Sequence, residues 1–384
     1  MPQVQVAIPG SAYAIQIGAD LLAQVGPTLR ELGLAGKAAI VTHPELPAAY
    51  PAAVHASLEQ AGFEPEMAFV PQGEASKSLD GLERLYTRFA GMRLDRKSAV
   101  VALGGGVIGD LAGFAAATYL RGLALVQVPT TLLAQVDASI GGKTAIDLPC
   151  GKNLVGAFYQ PRAVIADVGT LATLPPSELR SGLAEVVKYG VIADAGLFAS
   201  LEREADRLVS GAPEPLTRVV VRCCEIKAEV VRQDPHEQGL RAVLNYGHTV
   251  GHALEAVLGY GAIPHGAAVA IGMSAAARLA VRLELLSPAA AARQDLLLQR
   301  LGLPTLTPDA RSAVAAQQGG SAAPPGSPAD QPLPPLASLL AAMALDKKSV
   351  GGRLRFVLAR AIGSVEVREV AVEDVEALLG GSLS

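Results

Sequence analysis

The chain has 384 residues, half of them hydrophobic, and a net charge of -4 with acids and bases interspersed, so it is long enough for two domains and offers no electrostatic footprint for nucleic acid or an anionic membrane. Its three cysteines, Cys150 and the adjacent Cys223 and Cys224, form no disulfide framework and no paired metal motif, which favours a reducing cytoplasm. The first residues lack the basic and apolar regions of a signal peptide, and no apolar run reaches membrane-spanning length without interruption.

Gln3–Ile8 and residues 13–17 alternate and predict two strands joined by a Pro9-Gly10 turn. Helical apolar spacing marks 21–32, 46–61 and 78–92, the last opened by Ser78 as a cap. Apolar strands at 38–42, 64–70 and 98–103 separate them, and this alternation implies a parallel sheet with helices on its faces. After a strand at Ala163–Asp167 the alternation stops, and 175–189, 195–207, 216–233, 246–258, 266–283 and 288–301 all read as helices. The expected division is an α/β domain over 1–174 and an all-α domain over 175–384. Residues 305–335, rich in Pro, Ala, Gly, Ser and Gln, read as a flexible insertion, with a functional lid as the alternative. A helix at Leu336–Leu345, the run Asp346-Lys347-Lys348, strand-like runs at 353–359 and 364–369 and a short helix close the chain, and no internal repeat is present.

Gly104-Gly105-Gly106-Val107-Ile108-Gly109-Asp110 follows an apolar strand and opens a helix, a G-x-G-x-x-G pattern that lets backbone amides approach a pyrophosphate. It lies about a hundred residues into the chain and no ribose-binding acid follows at the usual spacing, so it is not an ordinary Rossmann fingerprint; a glycine turn needed only for packing stays open. Asp110 would cap the helix or bind a ligand hydroxyl. Gly142-Lys143-Thr144 resembles the end of a Walker A loop, but Asp137 stands where its first glycine belongs. Asp137, Lys143, Lys152 and Asn153 form a polar cluster between Pro129-Thr130-Thr131 and Gly156, either a phosphate or carboxylate site or a solvated loop.

In the stretch from Asn245 to Glu255, His248 and His252 stand one helical turn apart on one face, as metal ligands or as packed side chains. His265 is the other well-placed histidine, while His43, His55 and His236 receive no role. Glu185 and Lys188 make an i, i+3 pair among apolar residues, a semi-buried functional pair or a plain helix ion pair. One glutamate with two histidines would leave a coordination position open, as a catalytic zinc requires. His248-Thr249-Val250-Gly251-His252 lacks the glutamate of a zinc-peptidase motif.

These segments resemble the 3-dehydroquinate synthase family: Gly73-Glu74-Ala75-Ser76-Lys77, Gly104 to Asp110, Tyr119-Leu120-Arg121-Gly122, Pro129 to Leu133, Asp137 to Asp147, Gly151 to Gly156, Glu185 to Gly190, Asn245 to Glu255, His265-Gly266 and Asp346-Lys347-Lys348. The likeness is most specific between about residues 70 and 280. It implies a Rossmann-like NAD domain and a helical metal domain with the active site between them. The implied reaction converts 3-deoxy-D-arabino-heptulosonate 7-phosphate, a sugar-acid phosphate, to 3-dehydroquinate and phosphate, with NAD regenerated in each cycle and zinc, or cobalt in its place, polarising oxygens. The implied metal ligands are Glu185, His248 and His265, with His252 on the substrate side. Substrate phosphate and carboxylate would meet Lys143, Asn153, Lys188, Lys227, Arg241, Asn245 and Lys347. Asp137 would lie near the reacting hydroxyls, and Lys152 near nicotinamide and substrate. Arg121 would reach the site of a neighbouring subunit, implying a homodimer. NAD would rest on Glu74, Lys77, Gly105, Gly106, Asp110, Thr130 and Thr131. Thr42-His43-Pro44 stands where the family tends to carry an acid for the adenosine ribose. The alternatives are a related sugar-phosphate cyclase, disfavoured by Arg241 as a carboxylate partner, and a metal-dependent polyol dehydrogenase.

Overall fold

The computed structural model describes residues 2–306, 335–345 and 353–383. These fall into two compact units, Met1–Leu174 with Leu216–His236, and Pro175–Pro215 with Glu237–Ser384.

The first unit is built on strands β1 (Gln3–Ile8), β2 (Ser11–Gly18), β3 (Gly36–Thr42), β4 (Phe63–Phe69), β5 (Ala99–Gly104), β6 (Ala124–Pro129), β7 (Lys143–Leu148), β8 (Gly151–Phe158) and β9 (Ala163–Asp167). Between them run helices α1 (Val25–Glu31), α2 (Ala49–Gln60), α3 (Leu79–Gly91) and α4 (Gly106–Thr118). Seven strands form one sheet in the order β1-β2-β9-β6-β5-β3-β4, parallel throughout except for the β1–β2 hairpin. β5 and β9 are buried at every position, as interior parallel strands must be when helices cover both faces. Alternate residues of β5 feed opposite cores: Val100 and Ala102 pack with Phe89 and Leu111 under α3 and α4, and Val101 and Leu103 with Leu29, Val54 and Leu58 under α1 and α2. Taken in chain order, the parallel strands β3, β4, β5, β6 and β9 have the flavodoxin-like order, whose topological switch lies between the carboxyl ends of β3 and β5, at Thr42 and at the Gly104–Gly106 turn.

β7 and β8 form a separate antiparallel ribbon with a register slip between Ile146 and Leu148. Neither of these strands was among the expected elements, nor was β6; glycines and charges mask the alternation in the ribbon. Helix α7 (Pro213–Gln233) differs from the expected linear division, because Leu216–His236 belongs to the first unit. Lys227 there donates to the Asp137 backbone oxygen at 2.5 Å, and Cys224 Sγ lies 3.4 Å from Gln135 O.

The second unit holds α5 (Pro176–Ala193), α6 (Ala195–Val209), α8 (His248–Leu258), α9 (His265–Arg282), α10 (Pro288–Arg300), α11 (Leu336–Leu345) and α12 (Val372–Leu383). It also contains one antiparallel ribbon, β10 (Arg353–Ala361) with β11 (Ser364–Ala371), so it is helical but not all-α. Most of the expected insertion, residues 307–334, and the run containing Lys347 lie outside the described residues. Among the described residues, no helix is long and apolar enough to cross a membrane.

Candidate functional site: a metal centre and a glycine-rich crevice

In the second unit three helices bring Glu185, His248 and His265 together, one ligand atom from each lying within 4.8 Å of the others. Glu185 is wholly buried on α5 and its Oε2 accepts a bond from Lys188 Nζ. Its other oxygen, Oε1, is buried with no hydrogen-bond partner among the described residues and sits 3.6 Å from His248 Nε2 and 3.8 Å from His265 Nε2. A bare buried carboxylate oxygen is costly without a cation. A carboxylate with two imidazoles is a donor set for zinc that leaves one position open, so the residues fit a catalytic divalent metal.

Each imidazole is turned by the ring nitrogen it does not offer. His248 Nδ1 meets Tyr246 O at 3.1 Å. The buried Tyr246 hydroxyl in turn donates to Gln294 Oε1 at 2.8 Å, and Gln294 Nε2 donates to Met273 O at 3.0 Å. His265 Nδ1 faces both Glu255 oxygens, at 3.3 and 3.4 Å. Burial, reinforced by Lys188 and the other two imidazoles, holds His248 far below the ordinary histidine value, the neutral form a metal needs. Burial opposes protonation of His265 too, but the bond and charge of Glu255, with Glu185, raise it.

Small residues let these helices approach. Gly247 begins the α8 turn at φ +80°, and Gly272 of α9 stacks on its backbone oxygen. A Cβ on Gly251 would lie 3.1 Å from Ala268 O. Gly266 N donates to Ser181 Oγ at 2.9 Å, which seats the start of α9 on α5 one turn before Glu185. His252 is exposed, its ring 5.1 Å from that of His248 and 6.3 Å from that of His265, and it is not among the clustered ligands. In the same unit Arg241 is buried, and Asn245 Nδ2 donates to Glu237 Oε1 at 3.3 Å.

In the first unit the glycine turn lies at the switch point, with Gly105 as the N-cap of α4. Its backbone amides and helix dipole offer an anion seat there. A Cβ on Gly109 would lie 2.9 Å from Gln127 Oε1, so this glycine serves close helix-to-strand packing. Thr130 N donates to Gly104 O at 3.0 Å, fixing the neighbouring strand ends. Asp110 does not cap α4; its Oδ2 is 2.6 Å from Lys77 Nζ. Lys77 is buried and also donates to Asn153 Oδ1. Burial would lower the Lys77 ammonium, but Asp110, with Glu74 and Asp147, holds it above the ordinary lysine value. Asp147 completes a ring: its Oδ1 accepts Asn153 N–H at 2.8 Å and its own N–H donates to Lys77 O at 2.7 Å. The ring tethers the β7–β8 ribbon and keeps Asn153 at φ +56°. Lys152 on that ribbon pairs with Glu74 at 3.3 Å, while Lys143 opens β7 with an exposed side chain. Asp137 sits in a π-helical turn, Ala134–Ala138, and binds Lys227 Nζ. Thr131 Oγ1 accepts Ala134 N–H at 3.2 Å. Arg121 is exposed, and both it and Leu120 have left-handed φ, +67° and +49°.

Glu255 and Asp147 had no role in the sequence reading. Glu255 stands seven residues after His248, two turns along the same face, a spacing that would have flagged it. Asp147 carried no such signal.

An open sheet with a glycine-rich turn and a helical unit with a three-residue candidate metal cluster are the two parts of a dehydroquinate synthase-like fold. The family models for the 3-dehydroquinate synthase N-terminal and C-terminal regions match residues 67–181 and 182–318. 3-dehydroquinate synthases of Pelobacter propionicus and Desulforamulus reducens are each 46% identical over 380 residues, covering 99% of both chains. The chain belongs to the 3-dehydroquinate synthase family. Its fold is similar to that of 2-deoxy-scyllo-inosose synthase complexed with carbaglucose-6-phosphate, NAD+ and Co2+ (TM-score 0.84, 26% identity, all of both chains). It is also similar to 2-epi-5-epi-valiolone synthase of Streptomyces hygroscopicus with NAD+ and Zn2+ bound (TM-score 0.83, 27% identity, 98% of both chains).

Proposed function

We propose that the chain converts 3-deoxy-D-arabino-heptulosonate 7-phosphate to 3-dehydroquinate and phosphate, using NAD catalytically and a divalent zinc or cobalt ion. The observation that carries this reading is that a chain 46% identical to 3-dehydroquinate synthases over its length gathers Glu185, His248 and His265 around a bare buried carboxylate oxygen. When bound, NAD takes up and returns a hydride, and the metal polarises substrate oxygens. Oxidation of the substrate hydroxyl makes the neighbouring C–H acidic enough for phosphate to leave. Among the chain's own groups, the glycine turn and Thr130, Thr131, Glu74, Lys77 and Asp110 hold the dinucleotide. Arg241 offers a guanidinium fork to the substrate carboxylate. Lys143, Lys152, Asn153, Lys188, Lys227, Asn245 and Lys347 neutralise and orient the phosphate and hydroxyls, and Asp137 and His252 move protons.

In this reading the enzyme is a cytoplasmic homodimer, with Arg121 on its strained exposed turn serving the site of a second copy. Sedimentation and mixed-dimer complementation between Arg121→Ala and His248→Ala chains test that part. The main test is phosphate release from the heptulosonate phosphate with substoichiometric NAD and added zinc or cobalt. The expected result is many turnovers per NAD without net NADH; stoichiometric NADH would instead indicate a polyol dehydrogenase.

A further inference from the structure

The two candidate ligand histidines are held in different ways. His248 Nδ1 meets a backbone carbonyl, Tyr246 O, at 3.1 Å. His265 Nδ1 meets a carboxylate, with Glu255 Oε1 at 3.3 Å and Oε2 at 3.4 Å. Glu255 is itself nearly sealed, its side chain 8% exposed, whereas His265 is 31% exposed. A carboxylate is costly to bury unless something uses its charge. The reach from α8 to α9 is made possible by the glycine contacts at Gly247, Gly251 and Gly272. Along α8 the positions 248, 252 and 255 fall on one face, so one helix carries a ligand, an exposed imidazole and the support of a ligand on the next helix.

We infer that Glu255 is a positioning residue of the metal centre: it accepts the Nδ1 hydrogen of His265, fixes that tautomer, and aims Nε2 at Glu185 Oε1 and the ion. The inference rests on the metal reading proposed above. His265 needs this support more than His248 does, because it is the more exposed ring and has no backbone carbonyl anchor among its described bonds. Outer carboxylate partners of metal-bound histidines contribute roughly 10–100-fold to metal affinity.

The test measures zinc and cobalt dissociation constants by chelator competition for the parent, Glu255→Gln and Glu255→Ala, with His248→Ala alongside. Glu255→Ala is expected to bind zinc about 10–100-fold more weakly, with an altered visible spectrum of the cobalt form. Glu255→Gln keeps an amide oxygen as acceptor and should lose less than the alanine variant. Thermal unfolding in chelator shows that each variant folds. Affinities of both Glu255 variants within threefold of the parent, with an unchanged cobalt spectrum, would overturn the inference. A parent that binds no metal, or a His248→Ala chain that binds it as the parent does, would overturn the metal reading itself.

Discussion

Lys188 offers the sharpest physical test of the metal centre. Its ammonium and the Glu185 carboxylate are 1% and 0% exposed and bonded to each other. Replacing Lys188 with methionine keeps an unbranched side chain one atom shorter and leaves the Glu185 carboxylate buried without that counter-charge. Breaking a buried pair from one side costs about 3–5 kcal/mol. With the second unit, which holds this pair, unfolding as one cooperative unit, each kcal/mol corresponds to about 2–4 °C in its Tm, so the expected fall is roughly 6–20 °C. That fall belongs to protein kept in chelator. With saturating zinc the cation supplies positive charge to the same carboxylate, and the gap between parent and variant should shrink to less than half. Differential scanning calorimetry of both proteins, in chelator and in excess zinc, gives the four values needed. An equal loss of Tm in both conditions would refute the claim that Glu185 Oε1 serves a metal, and no loss in either would refute the pairing.

His248→Ala should abolish metal binding and activity, while His252→Ala should keep one metal per chain by elemental analysis and lose turnover; equal metal loss would refute the division of roles. Asp147→Ala removes the acceptor for Asn153 N–H, a bond worth about 0.5–1.5 kcal/mol, so kcat/KM should fall by up to roughly tenfold. Asp147→Asn keeps that acceptor and should stay near the parent value. Of the three thiols only Cys150 is exposed, and burial pushes Cys224 up to about 12, so a thiol-exchange reagent near neutral pH should titrate one cysteine quickly in the folded chain and all three after denaturation.

Apart from β6, the α/β alternation was legible because its strands are short apolar runs and its helices carry 3.6-residue spacing, both local patterns. The β7–β8 ribbon was not legible, since Lys143, Lys152 and Asn153 break its alternation and its pairing is made by contacts between strands. The return of α7 to the first unit was hidden for a similar reason: it depends on Lys227 meeting Asp137, ninety positions away, and no local pattern encodes that. At the metal centre, periodicity pointed to His248 and His252 as a pair. Glu185 and His265 were candidates from their local settings, but only the family likeness set His252 apart and joined His248 to these two, because their approach depends on how three helices pack. The partner of Asp110 was likewise out of reach, because a carboxylate at a helix start reads as a cap until Lys77 is seen beside it.

The glycines between α8 and α9 have a consequence for how the metal centre tolerates change. Zinc–ligand bonds are about 2.0–2.2 Å, and a working site holds them to within about 0.2 Å. A single methyl group at Gly251, whose Cβ would lie 3.1 Å from Ala268 O, spreads the two helices by an amount comparable to that whole tolerance. The affinity of the centre is thus governed as much by places with no side chain as by its donors. A screen for variants that release metal would be expected to recover substitutions at Gly247, Gly251 and Gly272, none of which has a side-chain donor to offer the ion.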